Sequence, residues 1–416
     1  MQIRFFGGAG EVGRSSFLIE ADKKILLDYG IKVEGDNIFF PLERPKADYI
    51  ILSHAHLDHS GFIPNLLKDS SPAIYGTVTT MKLAELLLED SIKVAREEHR
   101  DAGFSKRQIK HFKSRFVTLG YRSTTHLDGN IVLETFDSGH IPGSMISRLE
   151  FSDNTRLVYT GDFKLSKQTL HTGAEIVKSD ILIIESTYAL REHPDRDKVI
   201  DDLIESIKDT IDNNGTALIP SFAVGRAQEL LAILYQRGLI DYTYIDGMIK
   251  SATDIILRYP REIKNYDLLY KAAERAFYIE TEKERKIALE EPAIVLTTSG
   301  MLDGGPVLSY IRKINSKSKI LLTGYQAEDT NGRSLLERGV IVIDNKEYKI
   351  DNKVEYYDLS AHAGMSDLMR YVKESSPHTV ICIHGDERET EQFAEKLKEE
   401  GFEAYAPKVG DLIELR

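Results

Sequence analysis

Within six positions, His54-Ala55-His56-Leu57-Asp58-His59, the chain carries three imidazoles and a carboxylate, directly after the strand-like run 48–53. Alternate side chains of an extended segment share a side, so His54 and His56 can point at one place. A turn at Leu57-Asp58 would aim Asp58 and His59 at a neighbouring one. Imidazoles mixed with carboxylates suit zinc and, less selectively, manganese or iron. A lone HxH reads as a solvated turn. This denser cluster reads as ligands for two adjacent cations.

More donors stand in comparable places. Asp162 follows the apolar run 156–159 through Thr160-Gly161, His140 follows run 131–136, Glu185 closes run 181–184, and His384 ends run 379–383. Each alone has a structural explanation, a capping acid or a satisfied core histidine. Together they sit just beyond the C-terminal ends of buried strands, where α/β sheets build sites.

Those strands imply the frame. Runs 24–28, 49–52, 131–136, 156–159 and 181–184 include stretches that are continuously apolar, as in strands covered on both faces. Residues 80–99 carry a helix-compatible pattern. From about 196 the rhythm changes: 197–213 puts Val199, Ile200, Leu203, Ile204, Ile207 and Ile211 on one helical face. Strands at 216–220, 293–297 and 319–323 alternate with helices such as 228–236, the pattern of a parallel α/β unit. After 357 come a helix at 366–374, the strand 379–383 and a helix at 387–400, too little for an independent domain. The expectation is an α/β protein in which residues 191–357 are an insertion, and residues 1–190 and 358–416 form one domain.

Composition narrows the class. Of 416 residues, 42% are hydrophobic and 29% charged, which excludes a disordered or low-complexity chain. The single cysteine, Cys382, rules out an intramolecular disulfide and points to a reducing compartment. With no apolar run long enough to span a bilayer and no signal-peptide pattern, a cytoplasmic protein with no membrane partner is expected. A net charge of −12 argues against a broad basic face. A local exception is 105–122, where Lys106, Arg107, Lys110, Lys113, Arg115 and Arg122 occur without an acid. They are candidates for nucleic-acid phosphate contacts or simply a solvated helix face. Arg226 and Lys250 are weaker candidates of the same kind.

Gly8-Ala9-Gly10-Glu11-Val12-Gly13 matches GxGxxG, the phosphate loop of dinucleotide folds. That loop must open a helix, whereas 15–21 and 23–28 read as two strands joined by a turn. The better reading is a tight β-turn whose free N–H groups could hold a phosphate.

His54–His59 with Asp28, His140 and Asp162 resemble the metal-binding motifs of the metallo-β-lactamase fold. Glu185 in Ile183-Ile184-Glu185-Ser186-Thr187-Tyr188, His362 in Ser360-Ala361-His362-Ala363-Gly364, and His384 in Ile383-His384-Gly385 resemble the three extra motifs of its β-CASP branch. The stretches Pro220-Ser221-Phe222-Ala223-Val224-Gly225-Arg226-Ala227-Gln228-Glu229 and Thr298-Ser299-Gly300-Met301-Leu302 are closest to the archaeal cleavage and polyadenylation specificity factor-like group, beside RNase J. The resemblance implies an αββα sandwich with an inserted parallel-sheet β-CASP domain. The KH-type modules of some archaeal relatives are not expected before Met1, nor the long C-terminal extension of typical bacterial RNase J after His384.

The resemblance also implies a metal-dependent ribonuclease acting on single-stranded RNA, as endonuclease, 5′→3′ exonuclease or both, leaving 5′-phosphate and 3′-hydroxyl ends. One Zn2+ would take His54, His56, His140 and Asp162. The other would take Asp58, His59, Asp162 and His384, with Mn2+ as a substitute. The two would activate water as hydroxide. His362 would protonate the departing 3′ oxygen and Glu185 would orient it, while Asp28 would hold the second ring nitrogen of a ligand histidine. Backbone N–H groups of Ser360, Ala361 and Gly364, or of the 8–13 loop, would cradle phosphate. Relatives pair into homodimers, so a homodimer is an allowed assembly. Two other functions compete: a small-molecule metallohydrolase such as a thioesterase or lactonase, and a non-catalytic RNA-binding scaffold.

Overall fold

The structure is a computed structural model and describes residues 1–35, 37–128 and 130–415. The chain divides into two units, one of Met1–Glu192 with Ala361–Arg416 and one of His193–Ser360.

The first unit is built on two seven-stranded sheets. One has Gln2–Gly7, Ser16–Glu20 and Lys24–Leu27 as antiparallel neighbours, continued in parallel by Tyr49–Ile51, Ala73–Thr77 and Phe116–Leu119; Leu412–Glu414 adds to its edge. The other runs Glu403–Tyr405, Thr379–Ile383, Ile181–Glu185, Arg156–Tyr159, Met145–Glu150, Val132–Asp137, Thr124–His126. The sheets face each other across one apolar layer: Phe5, Phe17, Ile25 and Leu27 from the first meet Leu157, Tyr159, Ile183 and Ile381 from the second. On the outer face of the second sheet, Val158, Leu182, Ile184, Val380 and Cys382 pack with Leu368 and Val372 of the helix Met365–Ser375 and Phe393 of Glu387–Glu399. Successive residues of one strand therefore serve opposite layers, which is why those runs are apolar without alternation. The helices Val78–Glu97 and Lys106–Arg115 cover the outer side of the first sheet near Ala73–Thr77. No helix among the described residues is long and apolar enough to cross a membrane.

Direction matters more than layering for the chemistry. Val132–Asp137, Arg156–Tyr159, Ile181–Glu185 and Thr379–Ile383 all run the same way in the second sheet. Their carboxyl ends therefore share one edge, where the chain delivers His140, Asp162, Glu185 and His384. In the first sheet Lys24–Leu27 and Tyr49–Ile51 run parallel and deliver Asp28 and His54.

The glycine-rich segment joins Gln2–Gly7 to its antiparallel neighbour Ser16–Glu20, so no helix follows it and the dinucleotide reading fails. Its Gly8 N–H points to Glu11 Oε1 at 3.3 Å, so an acid already occupies one of the N–H groups expected to meet a phosphate. Gly8 O instead accepts from the His384 N–H at 2.7 Å, tying the loop to the site.

The second unit carries a six-stranded sheet in the order Phe277–Ile279, Thr243–Asp246, Ala293–Thr297, Thr216–Pro220, Lys319–Leu322, Lys353–Tyr356, parallel throughout. The helix Arg196–Asp212 is capped by the Asp195 side chain and buries Val199, Ile200, Leu203, Ile204 and Ile207. Thr210 completes that face, whereas Ile211 is only half-buried.

Candidate dinuclear metal centre

His54 to His59 do not continue the strand, which ends at Ile51. His54 lies in irregular chain, and Leu57–Ser60 closes as a single helical turn. That turn, rather than strand alternation, separates Asp58 and His59 from the first two histidines. Gly30 passes directly beneath it, and a Cβ there would collide with the Asp58 carbonyl, so a side chain at 30 would push Asp58 and His59 out of place.

Two four-donor sets converge, His54, His56, His140 and Asp162, and Asp58, His59, Asp162 and His384; Asp162 belongs to both, and also to a smaller group with Glu185 and His362. His56 Nδ1 lies 3.2 Å from His54 Nε2 and 3.3 Å from His140 Nε2. Asp162 Oδ2 lies 3.6 Å from His54 Nε2 and 3.7 Å from His140 Nε2. Zinc–nitrogen bonds near 2.0–2.1 Å place the donors of a tetrahedral site roughly 3.3 Å apart, so these spacings match. In the second set, His59 Nε2 is 3.4 Å from Asp162 Oδ1 and 3.7 Å from Asp58 Oδ2, and His384 Nε2 is 3.5 Å from Asp58 Oδ2. His59 Nε2 and Asp162 Oδ1 are buried without a hydrogen-bond partner, an arrangement that costs free energy unless something fills the gap. The residues fit two cations.

Protonation follows the same logic. Burial, reinforced by neighbouring imidazoles, pushes His54, His56 and His140 below the ordinary imidazole value, so they are neutral and ready to ligate. Burial opposes the charge on His59 too, but Asp162, Asp58 and Asp28 override it and raise its pKa well above normal. A proton thus sits where a cation would discharge the same acids. Burial likewise disfavours the Asp162 carboxylate, yet His384 and His59 hold it well below the carboxylate range.

Outer partners orient these donors. His59 Nδ1 lies 2.6 Å from Asp28 Oδ2, and Asp28 also accepts from the Ser53 N–H at 2.7 Å, Ser53 Oγ at 2.6 Å and Tyr159 OH at 2.6 Å. His140 Nδ1 donates to the Ala361 carbonyl at 2.9 Å. Both Asp28 and His384 have left-handed backbone, φ 56° and 48°, a strained conformation of the kind that concentrates at functional sites. Asp28→Asn is expected to weaken zinc binding about 10- to 100-fold, measured by competition with a chelator, because the ring of His59 loses its fixed orientation.

Beside the clusters stands a third group. Glu185, fully buried at the end of its strand, lies 3.0 Å from His362 Nδ1, and accepts from the Phe163 N–H at 3.0 Å and Thr187 Oγ1 at 2.6 Å. Burial works against a charged His362, but Glu185 and Asp162 raise its pKa to about 9. His362 is 22% exposed and Asp58 32%, whereas Asp162 is 2% exposed. The centre therefore opens to solvent at His56, Asp58 and His362.

The expected phosphate contacts are dispersed. On the helix Lys106–Arg115, Lys106, Arg107 and Lys110 are exposed, but Lys113 pairs with Glu85 and Arg115 Nε donates to the Pro72 carbonyl. Arg122 pairs with Glu175 and Lys250 with Glu280, and Arg226 is buried in the first turn of Arg226–Gln236. Ser360 N–H is taken by Asp358 Oδ1 at 3.1 Å, and Gly364 caps the helix Met365–Ser375. Sequence reasoning passed over Ser53, Tyr159, Thr187, Tyr188 and Arg191. The Tyr188 ring is 6.0 Å from that of His362 and carries the Arg191 guanidinium 4.7 Å above it. Ser53, adjacent to His54, and Thr187 and Tyr188, within the motif that carries Glu185, had a positional signal.

Two donor sets that share one carboxylate at the strand ends of a two-sheet sandwich are compatible with a dinuclear metal site and mark a metallohydrolase. Family comparisons agree: residues 18–189 match the metallo-beta-lactamase superfamily domain, 227–335 the Beta-Casp domain, and 347–407 the Zn-dependent metallo-hydrolase RNA specificity domain. A probable RNase, MJ4, of Methanocaldococcus jannaschii is 39% identical over the full length of both chains. RNase aCSPSF2 of Saccharolobus solfataricus is 33% identical, over 99% of this chain and 85% of its own. The transcription termination factor FttA of M. jannaschii is 33% identical, over 96% of this chain and 69% of its own. The chain belongs to the β-CASP family of metallo-β-lactamase-fold proteins, in the archaeal specificity-factor-like and RNase J-like group. A crystal structure of a protein of unknown function from Enterococcus faecalis shares the fold across 99% of both chains, at a TM-score of 0.63 and 14% identity.

Proposed function

We propose that this chain is a zinc-dependent ribonuclease hydrolysing single-stranded RNA to 5′-phosphate and 3′-hydroxyl ends. The observation that carries this reading is Asp162 shared by two donor sets, with the His362–Glu185 pair beside it. His54, His56, His140 and Asp162 would hold one Zn2+, and Asp58, His59, Asp162 and His384 the other. Bound there, the cations supply water of lowered pKa and neutralise charge on the phosphoryl oxygens. The domain assignment that accompanies this is a metallo-β-lactamase domain from residues 1–190 and 358–416, with residues 191–357 as the β-CASP insertion.

The chain's own groups do the rest. Water gives up a proton to solvent and adds to phosphorus, the bond from phosphorus to O3′ breaks, and a separate proton passes from His362 Nε2 to the departing oxygen. Glu185, on Nδ1, aims that ring and favours its protonated form. Because the donors are sunk and only His56, Asp58 and His362 reach solvent, a scissile phosphate must enter clear of its neighbours. A flexible single strand can turn a phosphate inward; a duplex cannot without unpairing. Nothing in this chemistry uses a 2′-hydroxyl, so RNA preference rests on direct contacts.

The test is zinc-loaded protein on 5′-labelled RNA bearing mono- or triphosphate ends, beside a thioester and lactone panel. RNA cleavage abolished by a chelator and restored by Zn2+ is expected. Mononucleotide release would define a 5′→3′ exonuclease and internal fragments an endonuclease. Esterase turnover without RNA cleavage would overturn the proposal in favour of a small-molecule hydrolase, and absence of both with no bound zinc in favour of a scaffold. Replacing Lys106, Arg107 and Lys110 together with Ala is expected to weaken RNA binding and flatten its salt dependence, the slope of log K against log salt falling by roughly 0.7 for each phosphate no longer neutralised. Titration at several salt concentrations checks this, and an unchanged slope dismisses the patch.

A further inference from the structure

We infer that Lys164 is a positioning residue for the proton donor, acting through the backbone of His362; the inference rests on the reading of His362 as that donor. Lys164 is 4% exposed, a depth at which an ammonium needs a committed partner. Its Nζ donates to the His362 carbonyl at 2.8 Å. The two residues before it act on the same centre. Asp162 is the carboxylate shared by both donor sets, and the Phe163 N–H holds Glu185 Oε1 at 3.0 Å. The Phe163 ring anchors the segment in the outer core against Tyr371, with centroids 4.9 Å apart.

One tripeptide therefore grips His362 at both ends, its ring through Glu185 and its carbonyl through Lys164, while carrying the acid shared by the cation sites. The gripped segment closes the circuit, since the Ala361 carbonyl accepts from His140 Nδ1 at 2.9 Å. Proton donor and metal ligands are thereby kept in one register. Charge-assisted hydrogen bonds are shorter and stronger than neutral ones, which suits a lysine where a backbone must not drift. No sequence motif marks Lys164; its role comes from the 198-residue separation that the fold closes to a hydrogen bond.

The experiment compares zinc-loaded wild type, Lys164→Met, Lys164→Arg, His362→Ala and the Lys164→Met/His362→Ala double variant. Two substrates are used, single-stranded RNA and bis(p-nitrophenyl) phosphate, whose nitrophenolate departs without being protonated. Lys164→Met is expected to lower kcat on RNA by about 10- to 100-fold at nearly unchanged KM and zinc content, as misplacement of a catalytic group does. Its turnover of the activated diester should stay near wild type, Lys164→Arg should recover part of the loss, and the double variant should be no slower on RNA than His362→Ala alone. Equal losses on both substrates, or effects that multiply in the double variant, would make Lys164 a merely structural residue and overturn the inference. Should Lys164→Met not fold, Lys164→Gln keeps a donor without the charge and is judged by the same substrate split. Equal loss on both substrates in His362→Ala would instead overturn the proton-donor reading itself.

Discussion

Asp162→Asn is expected to lower RNA turnover by more than about a thousandfold and to reduce bound zinc at both sites, measured by single-turnover cleavage and by metal analysis after dialysis. The magnitude follows from position. Asp162 supplies one oxygen to each donor set, Oδ2 towards His54 and His140 and Oδ1 towards His59 and His384. An amide keeps the shape but carries no charge, so both sets lose their shared acid and one of them also gains an N–H pointed at the cation. Removing a single electrostatic donor from an active site already costs about 100- to 1,000-fold, and this change removes charge from both halves of the proposed two-metal centre. The fold should persist, because Asp162 belongs to the site and not to either apolar layer. A variant that keeps two zincs and cleaves RNA at near the normal rate would remove Asp162 from the chemistry.

His362→Ala is expected to lower kcat by about 100- to 10,000-fold, the range of general acid catalysis, while zinc content stays unchanged. The contrast with Asp162 is the informative part. His362 faces Glu185 and stands at 4.0 Å from Asp162 Oδ2, beside the donor sets. Its pH signature has a definite sign. Glu185 and Asp162 raise its pKa to about 9, so the donor proton is present below that value and is lost as pH rises through it. Bound cations repel that proton and move the limb to lower pH. Wild-type kcat should fall on the alkaline side, and that limb should vanish in His362→Ala. Loss of zinc from the variant would return His362 to the metal sites.

The strand ends are legible in the chain itself, and for a physical reason. Arg156–Tyr159, Thr216–Pro220, Ala293–Thr297 and Thr379–Ile383 are short apolar runs bounded by polar or turn residues, and burial on two faces leaves no other way to write them. Helix Glu387–Glu399 and helix Val78–Glu97 likewise follow their apolar spacing. Charge was less readable. Residues 105–122 contain no acid, yet Glu85 and Glu175 reach Lys113 and Arg122 from distant sequence, so a basic run in the chain is only partly a basic surface in the fold.

Sequence alone determined the chemistry on offer: imidazoles and carboxylates at strand ends, dense enough at His54–His59 to imply cations, with one cysteine and few basic runs to suggest anything else. Tertiary structure decided which atoms meet. That Asp162 serves both donor sets, that Tyr159 braces Asp28, and that Lys164 reaches the carbonyl of His362 all depend on parallel strands bringing residues distant in the chain to one edge. Local spacing encodes the burial of each strand, but the direction and neighbours of a strand are set by the sheet as a whole.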